Sequence, residues 1–302
     1  MSNHVPRLSS RRTLGILALL AAGSSLGAWS CRAASDARAA APARLRTAIK
    51  YDMIDAPGDV RARFELARSL GFEGVEIDSP SNLSIPEVVA ASKATGVAVH
   101  GVIDSIHWSK RFSDPDPAVR AEAVAALRGA IEDAHAVGAD TVLVVPGAVR
   151  DPARENFDQV WSRSHEEIAK VLPLARERGV RIAIEVVWND FLTTPEQLVR
   201  YVDEFHDPVV GAYFDCSNMI KYGVPPARWI EALGPRLLKV DFKGYSRERG
   251  WVAIGEGDED WPAVLRALDA VGYHGWITAE VQGGGREELL DVRRRMDRIL
   301  SR

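Results

Sequence analysis

From residue 45 onward, short runs of β-branched and other apolar residues alternate with longer amphipathic segments. Eight short runs predict strands: LRTAIKY, EGVEID, VAVHGVI, DTVLVVP, VRIAIEVV, VVGAYFD, LLKVDFK and GWITAEV. Segments between them, such as DVRARFELARSLG and DWPAVLRALDAVG, predict helices, and several end in glycine, as helices often do. Eight strand–helix units in about 260 residues match an α/β fold, the closed (β/α)8 TIM barrel. An open doubly wound sheet is the alternative, but no glycine-rich turn suited to a dinucleotide follows the first strand.

The last four predicted strands each direct one carboxylate inward. Along a barrel strand, alternate side chains face the surrounding helices and the barrel interior. In LLKVDFK this rule assigns Leu238, Val240 and Phe242 to the helix-facing side and leaves an acid inside. Applied to all four strands, it places these acids near the C-terminal ends: Glu185, Asp215, Asp241 and Glu280. Earlier strands offer comparable positions at Glu76, Asp78 and His100. Barrel enzymes carry their chemistry at these strand ends.

Four carboxylates in one cavity repel one another, and their burial is unfavourable unless positive charge lies among them. We therefore expect a divalent cation held by Glu185, Asp215, Asp241 and Glu280. Ligation by oxygen alone favours Mn²⁺ or Mg²⁺, with Zn²⁺ or Co²⁺ as further candidates. The alternative is a salt-bridge network in which these acids pair with three lysines, Lys50, Lys239 and Lys243.

Composition narrows the class of partner. The chain has 302 residues, 46% of them hydrophobic, and a formal net charge of -4. This length is ample for a buried core, and the mild acidity gives no field that attracts polyanions, so we expect no nucleic-acid partner. Cys31 and Cys216 are the only cysteines in the sequence, so neither a structural disulfide nor a thiolate metal site is expected.

The N-terminal residues 1–43 differ from the rest. The stretch SSRRTLGILALLAAGSSLGA couples Arg11 and Arg12 to an apolar run, which is typical of a twin-arginine export signal, and an Ala-rich linker follows. The apolar run is too short to span a membrane. We expect cleavage between about Ser30 and Ala43, and a barrel of residues 44–302 in the periplasm or outside the cell, with no stable membrane span. A disordered basic tail and a lipid anchor at Cys31 are the alternatives.

Three stretches resemble the xylose isomerase-like TIM-barrel family of sugar isomerases and epimerases. They are GEGDEDWPAVLRALDAVGYHGWITAEV, IAIEVVWND and VGAYFDCSN, and the similarity covers about residues 48–299. The resemblance implies that Glu185 and Glu280 are paired metal ligands and acid/base residues, with Asp215 as a third ligand. Family epimerases usually have His where this chain has Asn218 and Asp241. These two departures leave the substrate open, and they weaken the likeness to the family's endonucleases, which need a His-rich zinc site.

The family implies proton movement beside the carbonyl of a small-molecule carbohydrate. The metal would bind the carbonyl oxygen and a neighbouring hydroxyl, while Glu185 and Glu280 remove and return a proton in an isomerase or epimerase. The same enediolate can expel a β-substituent, so a lyase or dehydratase is the second interpretation. A sugar-binding protein without catalysis is the third. Export favours an unphosphorylated ketose, an oxidised sugar or a glycoside, so we interpret the glycines of VQGGGREE as a turn. The family also suggests a homo-oligomer.

Other residues near the strand ends are candidates for substrate binding. His107 and Trp108 follow the third strand, where the indole can stack on a pyranose and the imidazole can donate a hydrogen bond. Trp188 and Asn189 come shortly after Glu185. The remaining candidates are His100, Asn218 and Lys243. Local packing is the alternative for the aromatic residues, whereas Lys243 can neutralise a carboxylate or stabilise an enolate oxygen.

Overall fold

The eight predicted strands are all present and close into one parallel barrel. The structure is a computed structural model that describes residues 45–301. The barrel strands are β1 Arg46–Lys50, β2 Gly74–Ser79, β3 Ala98–Asp104, β4 Thr141–Val144, β5 Arg181–Glu185, β6 Val210–Asp215, β7 Leu237–Phe242 and β10 Trp276–Ala279. Two further short strands, β8 Tyr245–Ser246 and β9 Gly250–Trp251, lie outside the barrel. The barrel order is β1, β10, β7, β6, β5, β4, β3, β2, which confirms the predicted (β/α)8 fold. The export signal and linker predicted for residues 1–43 lie outside the described residues and stay a prediction.

Helices surround the barrel between successive strands. They are α1 Val60–Ser69, α2 Ile85–Thr95, α3 Pro117–Val137, α4 Phe157–Ala169, α5 Leu172–Arg178, α6 Pro195–Asp203, α7 Pro226–Leu233, α8 Trp261–Ala270 and α9 Arg286–Leu300. Short 3-10 turns occur at Tyr51–Met53, Asn218–Tyr222 and Gly234–Arg236. Side chains such as Asp59 and Thr194 accept backbone N–H groups at helix starts. Gly96 and Gly138 end helices in the left-handed conformation, as predicted. No helix within residues 45–301 is both long and apolar enough to cross a bilayer.

Alternation along the strands separates two apolar regions. Helix-facing residues such as Ile182 and Ile184 belong to the large core between barrel and helices, whereas Ala183 joins Leu143 and Tyr213 inside the barrel. The assignment of Leu238 to the helix-facing side was wrong, because Leu238 packs against the interior cluster. The pairing of β6 with β7 shifts register after Ala212, so that Leu237 takes the outer position.

Polar contacts close the barrel toward the N-terminal ends of its strands. Lys239 Nζ is 2.8 Å from Asp140 Oδ1 and donates to the carbonyl of His100 at 3.0 Å. The His100 ring stacks on Trp276 with 4.7 Å between centroids, and its Nε2 is 3.1 Å from Thr278 Oγ1. These residues fill the interior beneath the strand ends, so the open end of the barrel is the C-terminal one.

An antiparallel hairpin of β8 and β9 follows β7 at that open end, and the sequence did not predict it. Tyr245 pairs with Trp251 across the hairpin, and Glu259 Oε1 accepts the N–H of Tyr245 at 2.7 Å. Gly244 begins the hairpin, where a β-carbon would overlap the carbonyl oxygens of Val252 and Ala253. The close approach allowed by Gly244 therefore holds the hairpin over the barrel mouth.

Candidate active site

The four predicted carboxylates converge at the ends of four consecutive barrel strands. Glu185 ends β5, Asp215 ends β6, Asp241 lies in β7 and Glu280 directly follows β10. One oxygen of each lies within 4.8 Å of the oxygens of the other three. The first three are buried, whereas the Glu280 side chain is 37% exposed at the mouth. The strand ends therefore present a single acidic cluster to the open end of the barrel.

The turn that follows β6 holds Asp215 in place. Its Oδ1 accepts the backbone N–H groups of Ser217 and Asn218, both at 2.7 Å. Its buried Oδ2 accepts no hydrogen bond from any described residue and lies 3.2 Å from Lys243 Nζ. Burial raises the pKa of Asp215, and the Lys243 charge opposes that rise. One oxygen thus orients the carboxylate, and the other remains available to a ligand.

Two lysines supply positive charge within the cluster. Lys243 Nζ is 2.9 Å from Glu280 Oε1. Lys50 Nζ, at the end of β1, forms an ion pair with Glu76 and lies 3.1 Å from Asp241 Oδ2 and 3.6 Å from Glu280 Oε2. Burial lowers the pKa of each lysine, but the surrounding carboxylates raise it above the ordinary value, so both ammonium groups stay charged. The predicted salt-bridge alternative is therefore present at Lys50 and Lys243, whereas Lys239 pairs with Asp140 instead.

Asp241 also takes part in a second group of buried polar side chains. We call this group the Lys50 network, and it consists of Lys50, Glu76, Tyr213 and Asp241. The Tyr213 hydroxyl lies 2.8 Å from Asp241 Oδ1 and 3.1 Å from Glu76 Oε2, so its single proton serves one carboxylate at a time. Burial raises the pKa of Asp241 well above its ordinary value, against the pull of Lys50. Gly101 faces Glu76 across the β2–β3 pairing and leaves room for its carboxylate.

Glu185 and Glu280 occupy contrasting environments. Burial, followed by the charge of Glu280, raises the pKa of Glu185 to about 8, and Lys243 and Lys50 oppose this shift. Although burial opposes it, the attraction of Lys50 and Lys243 lowers the pKa of Glu280 well below its ordinary value. The Asn218 amide donates to Glu185 Oε1 at 3.4 Å. Their surroundings therefore push the two carboxyl groups toward opposite protonation states, a contrast suited to acid–base work.

The acidic cluster fits a hard divalent cation in donor type, number and spacing. Its four donors are carboxylate oxygens. The buried Asp215 Oδ2 and Asp241 Oδ2 accept no hydrogen bond from residues 45–301, although an ammonium group lies beside each of them. Hard cations such as Mg²⁺ and Mn²⁺ prefer oxygen ligands of this kind. Glu185, Asp215, Asp241 and Glu280 can therefore hold such an ion.

A cavity of about 620 Å³, including its open mouth, leads from the cluster to the surface. It is lined by Lys50, Ile103, His107, Trp108, Leu143, Glu185, Val187, Trp188, Asn218, Lys243, Trp251 and Glu280. The structure thus brings five of the predicted substrate-binding residues together: His107, Trp108, Trp188, Asn218 and Lys243.

Two predicted substrate-binding residues do not line this cavity. His100 lies in the filled interior between Trp276 and Thr278. The Asn189 side chain donates to the carbonyl of Gly147 at 2.5 Å and accepts the N–H of Phe191 at 3.1 Å, so it holds the loop after β5. Alternation suggested His100, which lies too deep along its strand to reach the cavity. Proximity to Glu185 suggested Asn189, whose side chain is engaged in hydrogen bonds within the loop.

His107 presents a neutral imidazole to the cavity. Burial lowers the pKa of His107 to about 4. Its Nδ1 lies 3.5 Å from the backbone nitrogen of Val145, an N–H donor, which assigns the ring proton to Nε2. His107 can therefore donate one hydrogen bond to a ligand oxygen without adding charge.

Sequence reasoning missed several residues that shape the site. The sequence suggested Lys50 only as a salt-bridge partner. Its position as the last residue of β1 matches the strand-end positions of the acids on later strands, and this signal could have placed it in the site. Tyr213 carries a readable signal, because it alternates inward between Ala212 and Phe214. Trp251 carries no such signal, since its place at the mouth depends on the hairpin.

Fold and site together define a (β/α)8 barrel with a carboxylate cluster, suited to a divalent metal, at the C-terminal ends of its strands. The family model described as xylose isomerase-like TIM barrel matches residues 64–299. The chain belongs to this family, which confirms the resemblance found in the sequence.

Homologues of the chain include sugar epimerases. The L-ribulose-5-phosphate 3-epimerase UlaE of Escherichia coli O1:K1 is 25% identical over 229 residues, which cover 70% of this chain and 78% of UlaE. A solved D-tagatose 3-epimerase-like protein has a TM-score of 0.74 at 19% identity, with 85% of this chain and 97% of that one covered. The 3-keto-D-glucoside 4-epimerase YcjR of E. coli has a TM-score of 0.72 at 18% identity, with 86% and 100% covered. At these identities the two solved structures establish the shared fold, and UlaE supports an enzyme of the isomerase type.

Proposed function

We propose that this protein is a metal-dependent sugar isomerase or epimerase that moves a proton beside a carbonyl group. The observation that carries the proposal is the pair Glu185 and Glu280. They come from strands three places apart in the barrel, yet their carboxylate oxygens lie within 4.8 Å of each other at the base of an open cavity. The epimerase activity named for UlaE supports the same class of reaction.

The two glutamates divide the proton transfer. One carboxylate removes the proton from the carbon next to the carbonyl, and the other returns a proton to the opposite face, which inverts that carbon. Return to the adjacent carbon would give isomerisation instead. Mn²⁺ or Mg²⁺ in the acidic cluster would polarise the sugar carbonyl and so acidify the neighbouring C–H. Lys243 contacts Glu280 at 2.9 Å and fixes the position of that carboxylate. His107 Nε2 and the Asn218 side chain offer polar contacts for sugar hydroxyls.

We further propose that the sugar is unphosphorylated. Many barrels bind phosphate near the last strand, at the N-terminus of a helix. Here the first turn of α9 carries two acids, Glu287 and Glu288, whose charge opposes an anion. The preceding Gly284 is already engaged, because its N–H donates to Met53 O at 3.0 Å and its carbonyl accepts the N–H of Asp55. Export of the barrel, as predicted from residues 1–43, would agree with such a substrate.

Hydrogen exchange in deuterium oxide tests the function. The purified protein is incubated with Mn²⁺ or Mg²⁺ and a panel of unphosphorylated ketoses and keto-sugars, and proton NMR follows the α-hydrogen. We expect solvent deuterium at one α-carbon together with an epimer or isomer. Glu185→Gln and Glu280→Gln should each lower the rate by about 10²–10⁴-fold. Glu65→Gln serves as the matched control, since Glu65 is exposed on α1 and pairs with Arg61.

The same spectra separate the competing functions. Loss of a β-substituent with formation of an unsaturated product would indicate a lyase or dehydratase. Sugar binding without deuterium incorporation at any carbon would indicate a non-catalytic sugar-binding protein and would refute the proposal.

A further inference from the structure

Exposed aromatic surface is concentrated at the cavity mouth. Among residues 45–301, four large apolar side chains are strongly exposed: Val89, Trp108, Trp188 and Trp251. The three tryptophans all line the cavity that leads to the acidic cluster, with 50%, 37% and 51% of their surfaces exposed. Exposed indoles that share one concave surface indicate a binding site rather than incidental exposure.

Trp188, Tyr245 and Trp251 form a packed group that we call the aromatic rim. The Trp188 and Trp251 rings stack with 4.9 Å between centroids at 19°, and Tyr245 meets both edge-on at 5.0 and 5.1 Å. Trp188 Nε1 donates to the Asn218 carbonyl at 2.6 Å, and the β8–β9 pairing holds the other two residues. The rim is therefore held in place before any ligand arrives.

Trp108 lines the same cavity mouth from the side of the barrel opposite the hairpin. It follows β3, and the hairpin follows β7, two strands that lie four places apart in the closed ring of eight. The Trp108 ring packs edge-on against His107 at 5.0 Å, and the Trp108 carbonyl accepts from Arg150 at 2.7 Å. Flat aromatic surfaces thus border the entrance on two sides.

We propose that the aromatic rim and Trp108 form a second sugar subsite, so that the substrate is a keto-sugar joined to a second pyranose ring. The apolar C–H face of a pyranose packs well against an indole, whereas its hydroxyls remain in water at the mouth. Lys243 links the two regions, since its Nζ is 5.6 Å from the Trp251 ring centre and 2.9 Å from Glu280. A reacting ring at the acidic cluster therefore places its attached ring at the rim. The choice of the inner ring as the reacting one rests on the proposed function.

Binding of ketose disaccharides tests the subsite without relying on catalysis. Isothermal titration calorimetry with the Mn²⁺-loaded protein compares lactulose and isomaltulose with D-fructose, the ketose that both contain. We expect the disaccharides to bind about tenfold more tightly, which corresponds to one or two aromatic stacking contacts. In Trp251→Ala the ratio of disaccharide to fructose affinity should fall to about one, and Trp251→Phe should retain most of the preference.

The choice of variants isolates the rim. Trp251 is suited to truncation because it is half exposed on β9, whereas truncation of Trp188 would also release Asn218, which contacts Glu185. Val89→Ala on α2 removes a similarly exposed apolar side chain away from the cavity and should leave the affinity ratio unchanged.

Different experimental results would refute the second sugar subsite and the proposed function. Equal affinity for fructose and the disaccharides, absence of disaccharide binding, or a preference that persists in Trp251→Ala would overturn the subsite. Absence of deuterium exchange with every sugar would overturn the proposed function, even where the Trp251-dependent preference is observed.

Discussion

Replacement of Lys50 by methionine tests whether the ammonium group stabilises the buried acids around it. Lys50 Nζ contacts Glu76 and Asp241, whose side chains are fully buried, and it reaches Glu280 at 3.6 Å. Methionine has a similar length and flexibility but carries no charge. The variant therefore leaves the carboxylates of Glu76 and Asp241 buried beside the Tyr213 hydroxyl, without the positive charge of Lys50.

The expected loss of stability is large because one partner of a buried ion pair is removed. Such removals cost about 3–5 kcal/mol, since they leave an uncompensated buried charge. We expect a loss of this size in the free energy of unfolding of Lys50→Met, measured by urea denaturation in EDTA at pH 7.5. Lys170→Met is the control, because Lys170 is 46% exposed and pairs with Glu167 at 2.6 Å. Partly exposed pairs of that kind contribute about 1 kcal/mol or less.

A double-mutant cycle shows whether the effect acts through Asp241. The double variant Lys50→Met with Asp241→Asn should be more stable than the sum of the two single losses predicts, by about 0.5–3 kcal/mol. Saturating Mn²⁺ should restore part of the stability lost in Lys50→Met, since it binds the folded state and supplies positive charge. Strict additivity, or a Lys50→Met protein as stable as the Lys170→Met control, would refute the role assigned to Lys50.

Three further predictions concern single positions. Asp241→His should retain Mn²⁺ affinity, whereas Asp241→Ala should weaken it at least about tenfold by calorimetry; unchanged affinity in the alanine variant would remove Asp241 from the ligand set. Burial raises the pKa of Asp104 from 3.8 to about 7, so its folded form favours the proton and stability falls as pH rises through that interval. Asp104→Asn should therefore gain about 2–3 kcal/mol over the parent between pH 5 and pH 8, and parallel pH profiles would contradict this. Gly101→Ala should lose about 1–3 kcal/mol because its methyl group overlaps Glu76, whereas Gly129→Ala meets open space on α3 and should lose nothing.

Local alternation in the sequence was sufficient to predict the barrel and its acids. The strand signal depends on neighbouring residues two apart, so Glu185 and Asp215 could be placed inside without knowledge of the rest of the chain. The same rule failed at Leu238, because the register shift beside β6 depends on pairing between strands. Sequence pattern therefore predicts which face a residue takes until a bulge intervenes.

Partners that come from distant segments could not be predicted in this way. The charges around Lys50 come from β2, β7 and the end of β10, and only closure of the barrel brings them together. His100 was correctly predicted to face the barrel interior. Its depth along the barrel, which the sequence does not show, places it below the cavity. The aromatic rim depends on two-residue strands that carry too little pattern to predict.

The lysines of the acidic cluster also bear on the order of assembly. A barrel whose site contained only acids would depend on metal to offset their repulsion, much as small zinc domains depend on their ion to fold. Here Lys50 and Lys243 are carried by the chain itself and reach Glu76, Asp215, Asp241 and Glu280 as the strands close. The barrel can thus close before any metal binds, and an ion held by the acidic cluster would then be set by the compartment in which the finished barrel meets it.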